Sequence, residues 1–206
     1  MSTDAQSARD DIAFLKSLVG DDGGSGTRQF GLTYFLSGLI YGGQMIGHAL
    51  VFVGILPSAG LWPLAIGVGP TVIFIPLIIW ANIRASHTRQ TAGPVSRAVL
   101  AVFGTIGLAN VVLALIVGSV AWREQNITTW LIFPCCVFVL QGICWLFAMI
   151  MRRKSWFGLV AAGWMACGIA MALSVTSLGW FILFGGLGLW LCMALPGLVM
   201  MRNSAG

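Results

Sequence analysis

Six long apolar segments separated by short polar stretches dominate the chain. Each is long enough to cross the hydrocarbon core of a bilayer as a helix, which takes about 20 residues. The runs are continuous and lack the alternation of apolar and polar residues that the strands of a membrane barrel show. The pattern therefore predicts an all-α, polytopic membrane protein with six transmembrane helices. The segments lie at residues 30–54, 62–83, 98–121, 129–151, 156–176 and 178–201.

The composition supports this fold class. Of 206 residues, 58% are hydrophobic and only 8% are charged, whereas about 25% are charged in a typical soluble domain. The formal net charge of +5 comes from residues that flank the apolar segments. The charge therefore indicates topology, and we predict a lipid bilayer and no nucleic acid as the surroundings of this chain.

The distribution of basic residues predicts the orientation. Cytoplasmic loops of membrane proteins carry the excess of Lys and Arg. If the six segments cross the membrane in turn, ten of the eleven basic residues fall on one side and Arg123 alone falls on the other. We predict that both termini are cytoplasmic, in a bacterial inner membrane. The ten residues are Arg9, Lys16, Arg28, Arg84, Arg89, Arg97, Arg152, Arg153, Lys154 and Arg202.

Tryptophan and arginine recur with one spacing around the even-numbered segments. Each pair is 22 residues apart, and a basic residue precedes each odd-numbered segment. This favours three repeated helical hairpins in the same orientation, although constant bilayer thickness with interfacial Trp and cytoplasmic Arg would produce the same spacing. The repeat is a hypothesis. The pairs are Trp62 and Arg84, Trp130 and Arg152, and Trp180 and Arg202, and the preceding basic residues are Arg28, Arg97 and Lys154.

The polar N-terminal stretch predicts a domain of its own. Residues 1–29 are interpreted as a cytoplasmic tail with a short amphipathic helix and a Gly-rich linker at 20–26. Residues 30–202 form the six-helix transmembrane domain, and 203–206 form a cytoplasmic C-terminal tail. The amphipathic helix either lies on the membrane surface or docks on another protein.

A stripe of polar residues runs along the first apolar segment. The members recur at spacings of three and four, which places them on one face of a helix. Further polar residues lie at a similar depth in the next three segments. They either form hydrogen bonds that fix helix packing or line a small polar cavity. We call Tyr34, Ser37, Tyr41, Gln44 and His48 the polar stripe, and the residues at similar depth are Thr71, Asn110 and Gln141.

The segments contain no Asp, Glu, Lys or Arg. Proton-coupled and ion-coupled transporters carry ionisable groups inside the membrane, so their absence weighs against those classes and against a carboxylate-dependent membrane hydrolase. We predict no catalytic residues and no enzyme activity. A facilitator for a neutral molecule is compatible with the sequence.

His48 and the cysteines are the remaining candidates for metal or cofactor chemistry. His48 has no partner histidine in the apolar segments, and the cysteines match no metal spacing. We predict no metal site and no cofactor, with ligation of a haem or pigment by His48 alone as the open alternative. The cysteines are interpreted as apolar fillers; they are Cys135, Cys136, Cys144, Cys167 and Cys192.

Three classes of function follow. The first is an accessory or regulatory subunit that works by binding, through Gly-rich helix faces such as Gly38 with Gly42 and Gly43 with Gly47 and through the N-terminal helix, to another protein or another copy of itself. The second is a facilitator or channel for a small neutral or hydrophobic solute. The third is a haem-binding or pigment-binding membrane protein. Anionic lipid headgroups are the predicted ligands of a basic cluster, Arg152, Arg153 and Lys154.

Overall fold

The computed structural model describes Gln6, Ile12 and residues 25–91 and 93–203, with the side chains of 25, 26, 82 and 84–91 left aside. Apart from Ile12, the predicted amphipathic helix lies outside the described residues, as does most of the predicted linker. All regular structure in the described part is helical, and six helices are long and apolar enough to cross a membrane. The predicted all-α fold with six helices of membrane-spanning length and apolarity is confirmed for the described residues.

The helices match the predicted segments closely at most ends. The first begins before the predicted segment and the second continues past it, and the third begins earlier because Gly93 and Pro94 start a helix there. Proline suits this first position because its missing N–H has no partner in the first turn. The bounds are α1 Ser25–Phe52, α2 Trp62–Thr91, α3 Pro94–Glu124, α4 Ile127–Arg152, α5 Trp156–Leu173, α6 Leu178–Leu189 and α7 Leu195–Asn203.

The sixth span, Leu178–Asn203, is interrupted by a π-helical turn at Trp190–Ala194. Leu195 N–H donates to Trp190 O, five residues back instead of four. The turn ends two residues before Pro196, which has no N–H and whose ring crowds the carbonyl of Cys192. The sequence predicts a kink or an uneven end at Pro196, and the wider turn is the form that this irregularity takes.

Neighbouring helices pack as three hairpins. α1 packs on α2, α3 on α4, and α5 on α6. The second hairpin is the tightest: Gln125 adopts a left-handed conformation, and the Asn126 side chain caps α4 by accepting from Thr128 N–H over 2.9 Å. The hairpins also contact one another, because α4 packs on α5 and α1 packs along the whole sixth span. Common descent of the hairpins stays a prediction.

The third junction between hairpins is not formed. Among the described residues, α2 packs on α1, whereas α2 and α3 have no extended contact with each other. We call this the open junction. Both helices are correspondingly exposed: 6% of the most apolar window of each is buried, against 33% for α4 and α5 and 44% for the sixth span. The core therefore lies between α1, α4, α5 and the sixth span.

Glycines allow α1 to approach the sixth span closely. A Cβ atom built on Gly38 would lie 2.6 Å from Ala194 N, and one on Gly31 would lie 2.8 Å from Gly197 O. Lipid offers little hydrophobic drive for helices to associate, so close backbone approach is how membrane helices gain contact energy. Gly38 and Gly42 thus serve packing within the chain, whereas Gly43 has open space around it.

Candidate functional site: the polar residues of the spans

Tyr34, the first member of the polar stripe, lies at the centre of the core. Trp145 Nε1–H donates to the Tyr34 hydroxyl oxygen over 2.8 Å, and that hydroxyl donates to Gln141 Oε1 over 3.4 Å. Tyr34 is 6% exposed and Trp145 is 1% exposed. The three polar groups on α1 and α4 therefore satisfy one another directly, in surroundings where an unpaired group would be costly.

Aromatic rings fill the space around this group. Phe30 stacks on Tyr34 with ring centroids 5.5 Å apart, and Phe103 of α3 meets Tyr34 edge-on at 6.2 Å. Trp145 makes a similar edge contact with Phe157 of α5 at 5.1 Å. These separations are those of favourable aromatic pairs. Tyr34, the first residue of the polar stripe, is consequently part of a packed aromatic core.

Ser37 is buried and its polarity is satisfied within its own helix. Its hydroxyl donates to Thr33 O over 2.6 Å, the back-bonding that serine and threonine adopt inside helices. The hydroxyl is therefore engaged by α1 itself and joins neither Tyr34 nor Tyr41.

Tyr41 and Gln44, further along the polar stripe, face α2. Gln44 Nε2 donates to Gly67 O over 3.2 Å, and the ring of Tyr41 lies 5.3 Å from that of Phe74. Thr71 lies beside the Tyr41 hydroxyl. Because Gly67 has no side chain, its carbonyl oxygen is accessible to Gln44. These contacts hold α2 on α1.

The polar residues at similar depth do not form one cluster. Gln141 pairs with Tyr34, and Thr71 lies with Tyr41. Asn110 Oδ1 is buried without a hydrogen-bond partner among the described residues. His48 is half-buried, one turn beyond Gln44. The single stripe and its predicted partners are thus divided between the core and the contact of α1 with α2.

Sequence reasoning missed the tryptophans that complete the core. Trp145 lies four residues after Gln141 on the same face of α4, which was a usable signal for a donor next to Tyr34. Trp164 of α5 is 1% exposed, and its Nε1–H lies beside the Tyr34 hydroxyl without completing a hydrogen bond in the described part of the chain. The corresponding signal for Trp164 was its position near the middle of its helix, away from the ends where interfacial tryptophans lie.

Of the three basic residues predicted to bind lipid headgroups, Arg152 is hydrogen-bonded within the protein. Arg152 Nη2 donates to Ser96 Oγ over 3.1 Å and Nη1 donates to Thr27 Oγ1 over 3.4 Å. It thereby joins the end of α4 to the beginnings of α3 and α1. Arg153 and Lys154 are exposed in the following turn, where they remain accessible to phosphate groups.

The cysteines are all free thiols, and three of the five are buried. The described residues contain no group of three or more His, Cys, Asp or Glu side chains that could hold a metal ion. Thiols in such apolar surroundings are unreactive.

Comparison with protein-family models, with curated proteins and with solved structures gives no match for this chain.

Proposed function

We propose that this chain is a non-catalytic, integral inner-membrane protein that works by binding within the bilayer, as an accessory or regulatory subunit. Both termini are cytoplasmic in this proposal. Arg28 and Arg97 lie near the N-terminal ends of α1 and α3, whereas Arg123 lies at the C-terminal end of α3. Arg202 lies at the C-terminal end of α7, and Arg153 directly follows the C-terminal end of α4. If successive helices cross the membrane in alternating directions, all of these except Arg123 fall on one side, which supports that orientation.

The observation that carries the proposal is the direct pairing of Tyr34 with Gln141 and Trp145. A solute pathway through the centre would need polar groups that face a ligand. Here the central polar groups face one another among Phe30, Phe103 and aromatic neighbours. Their arrangement supports a structural role for Tyr34, Gln141 and Trp145. In this proposal, binding takes place on the outer surfaces of the bundle.

The exposed surfaces of α2 and α3 supply the complementary support. Each presents apolar residues with no helical neighbour on that side among the described residues. Soluble proteins rarely tolerate such surfaces, and within a bilayer they contact either lipid or another helix. Binding by these surfaces requires no catalytic residues and no charge inside the membrane.

Mild extraction tests this proposal. The full chain, tagged at its C-terminus, is extracted in lipid nanodiscs and its mass and associated proteins are measured. We expect a particle in which the chain is bound, in a fixed ratio, to a second polypeptide that is either a different protein or another copy of the chain. A particle that contains one chain and lipid alone, at native expression level, would overturn the proposal.

A solute facilitator is the second candidate, and Asn110 is the observation that favours it. Its buried Oδ1 has no donor among the described residues, so a neutral solute with an N–H or O–H group could supply one. Uptake of small neutral solutes into proteoliposomes tests it, with Asn110→Leu abolishing uptake and Thr105→Val, on an exposed face of the same helix, leaving it unchanged. Equal permeability with and without protein would exclude this function for the solutes used.

Haem or pigment binding through His48 is the third candidate from the sequence. An absorption band of the purified protein in the visible range, lost in His48→Ala, would support it.

A further inference from the structure

The two junctions that form between hairpins use equivalent positions. On α1, the contacts with the sixth span involve Phe35, Gly38 and Gly42, which follow Arg28 by seven, ten and fourteen residues. Gly197 approaches the Phe35 backbone and Ala194 approaches Gly38. These positions form one face of a helix.

The same positions of α5 contact α4. Ala161, Trp164 and Gly168 follow Lys154 by seven, ten and fourteen residues. A Cβ built on Gly142 of α4 would lie 3.2 Å from Ala161 O, and one on Gly168 would lie 3.1 Å from Phe138 Cβ. Both formed junctions therefore place the second helix of one hairpin on the same face of the first helix of the next.

On α3 the equivalent face is open. Gly104, Gly107 and Val111 follow Arg97 by seven, ten and fourteen residues. A Cβ built on Gly104 or Gly107 meets nothing within 4 Å, and Val111 is 57% exposed. α3 thus presents two glycines and an exposed valine at the three positions that the formed junctions use, without a helix that contacts them.

α2 presents an apolar face of its own. Four residues at spacings of four, three and four are each about half exposed: Val68, Val72, Ile75 and Ile79. Their spacing places them on one side of the helix, while Ile66, Gly67 and Phe74 contact α1. α2 is the second helix of its hairpin, and so is of the type that packs on a face such as that of α3.

We infer that two copies of this chain associate in the membrane, with α2 of each copy packed on the Gly104, Gly107 and Val111 face of α3 in the other. The inference rests on the proposed function, binding within the bilayer, and names its partner. Each copy supplies both halves of the open junction, so a twofold arrangement completes both junctions at once. Another protein would have to carry both faces to do the same.

Close approach is the physical basis of this interface. Neither face carries a charged residue, and glycines at spacings of three or four let helix backbones pack closely in lipid. Close contacts at glycine already join helices twice within the chain: Gly38 and Gly42 meet the sixth span, and Gly142 and Gly168 lie between α4 and α5.

Disulfide formation in trans tests the inference directly. Val72 lies twelve residues before Arg84, and Val111 lies fourteen after Arg97, which brings them to similar depths. Two differently tagged full-length chains, one with Val72→Cys and one with Val111→Cys, are co-expressed and oxidised. Wild type has no cysteine on α1, α2 or α3, and its five native thiols give the background.

The expected result is a disulfide-linked pair carrying both tags, at a yield at least tenfold above background. The control replaces Val111→Cys with Ile169→Cys, which is exposed on α5 at a similar depth, and should give background yield. Equal yields from both pairs would overturn the inference. So would a disulfide within one chain when both substitutions are placed on it, since α2 and α3 would then close on each other.

A second variant tests association without added thiols. Gly107→Leu adds its side chain into open space, so the single chain should fold as before, while approach of the partner's α2 is blocked. Native mass spectrometry should show wild type at twice the chain mass of 21.9 kDa and Gly107→Leu at the single mass. The matched control is Ala162→Leu on an exposed face of α5.

The outcomes separate this inference from the proposed function. A dimeric Gly107→Leu or a monomeric wild type overturns pairing through the open junction. A monomeric wild type that still carries another protein in fixed ratio keeps the proposed function and replaces the partner.

Discussion

Tyr34 and Trp145 are joined by a hydrogen bond of 2.8 Å across 111 residues of sequence, and this bond links α1 to α4 within the buried core. The indole N–H has no other acceptor in the described residues. The Tyr34 hydroxyl in turn donates a hydrogen bond to Gln141 Oε1. The same oxygen therefore accepts from Trp145 and donates to Gln141.

Tyr34→Phe should lower the free energy of unfolding by about 1 kcal/mol, because it leaves the Trp145 N–H buried without an acceptor. Unfolding in increasing denaturing detergent, followed by tryptophan fluorescence, measures the change. The double variant Tyr34→Phe with Trp145→Phe should lose less than the sum of the single variants, since both remove the same bond. An additive result would contradict direct coupling of the two residues.

Gly38→Leu should prevent stable packing of α1, because its Cβ would lie 2.6 Å from the Ala194 backbone, and backbone cannot move aside at low cost. We expect loss of the monodisperse peak in size-exclusion chromatography. Gly43→Leu, five residues further on the same helix and in open space, is the matched control and should elute as wild type. Similar profiles for both variants would show that α1 does not approach the sixth span so closely.

Gln44→Leu should loosen α2 from α1 with little effect on the core. It removes the bond to Gly67 O, a contribution of about 0.6 kcal/mol for such bonds in membrane proteins. Gly47→Cys with Ile66→Cys reports on this contact, since a Cβ on Gly47 would lie 3.1 Å from Ile66. Disulfide yield from that pair should fall in the Gln44→Leu background and stay unchanged with Thr105→Val.

The positions of the chain ends can be tested with fusion reporters. Green fluorescent protein fused after Asn203 should fluoresce, since that end is proposed to be cytoplasmic. A periplasmic phosphatase inserted after Gln125 should be active, because Arg123, in the last turn of α3, is the one basic residue near that connection. The reverse pattern would place the termini outside.

The number and type of spans were predictable because the hydrocarbon core imposes length and apolarity on each helix. The polar stripe was predictable as a helix face, but its division was not: whether Tyr41 turns toward α4 or α2 depends on where Phe74 and Gly67 lie in space. The open junction was likewise hidden, since α2 and α3 are as apolar as helices that pack. Spacing gives the face of a residue and leaves its neighbour undetermined.

The π-helical turn at Trp190–Ala194 contains one residue more than the α-helical turn that would otherwise stand in its place. Each residue of an α-helix turns the following face by about 100°. Without the additional residue, Gly197 would point well away from Gly31 and Phe35, which it now meets at backbone distance. Adding or removing one residue in this span would therefore turn the residues after it, including Gly197, away from α1 and bring a different side of the helix to the contact. The sixth helix should accept many substitutions on its exposed side yet tolerate no insertion or deletion between Trp190 and Gly197.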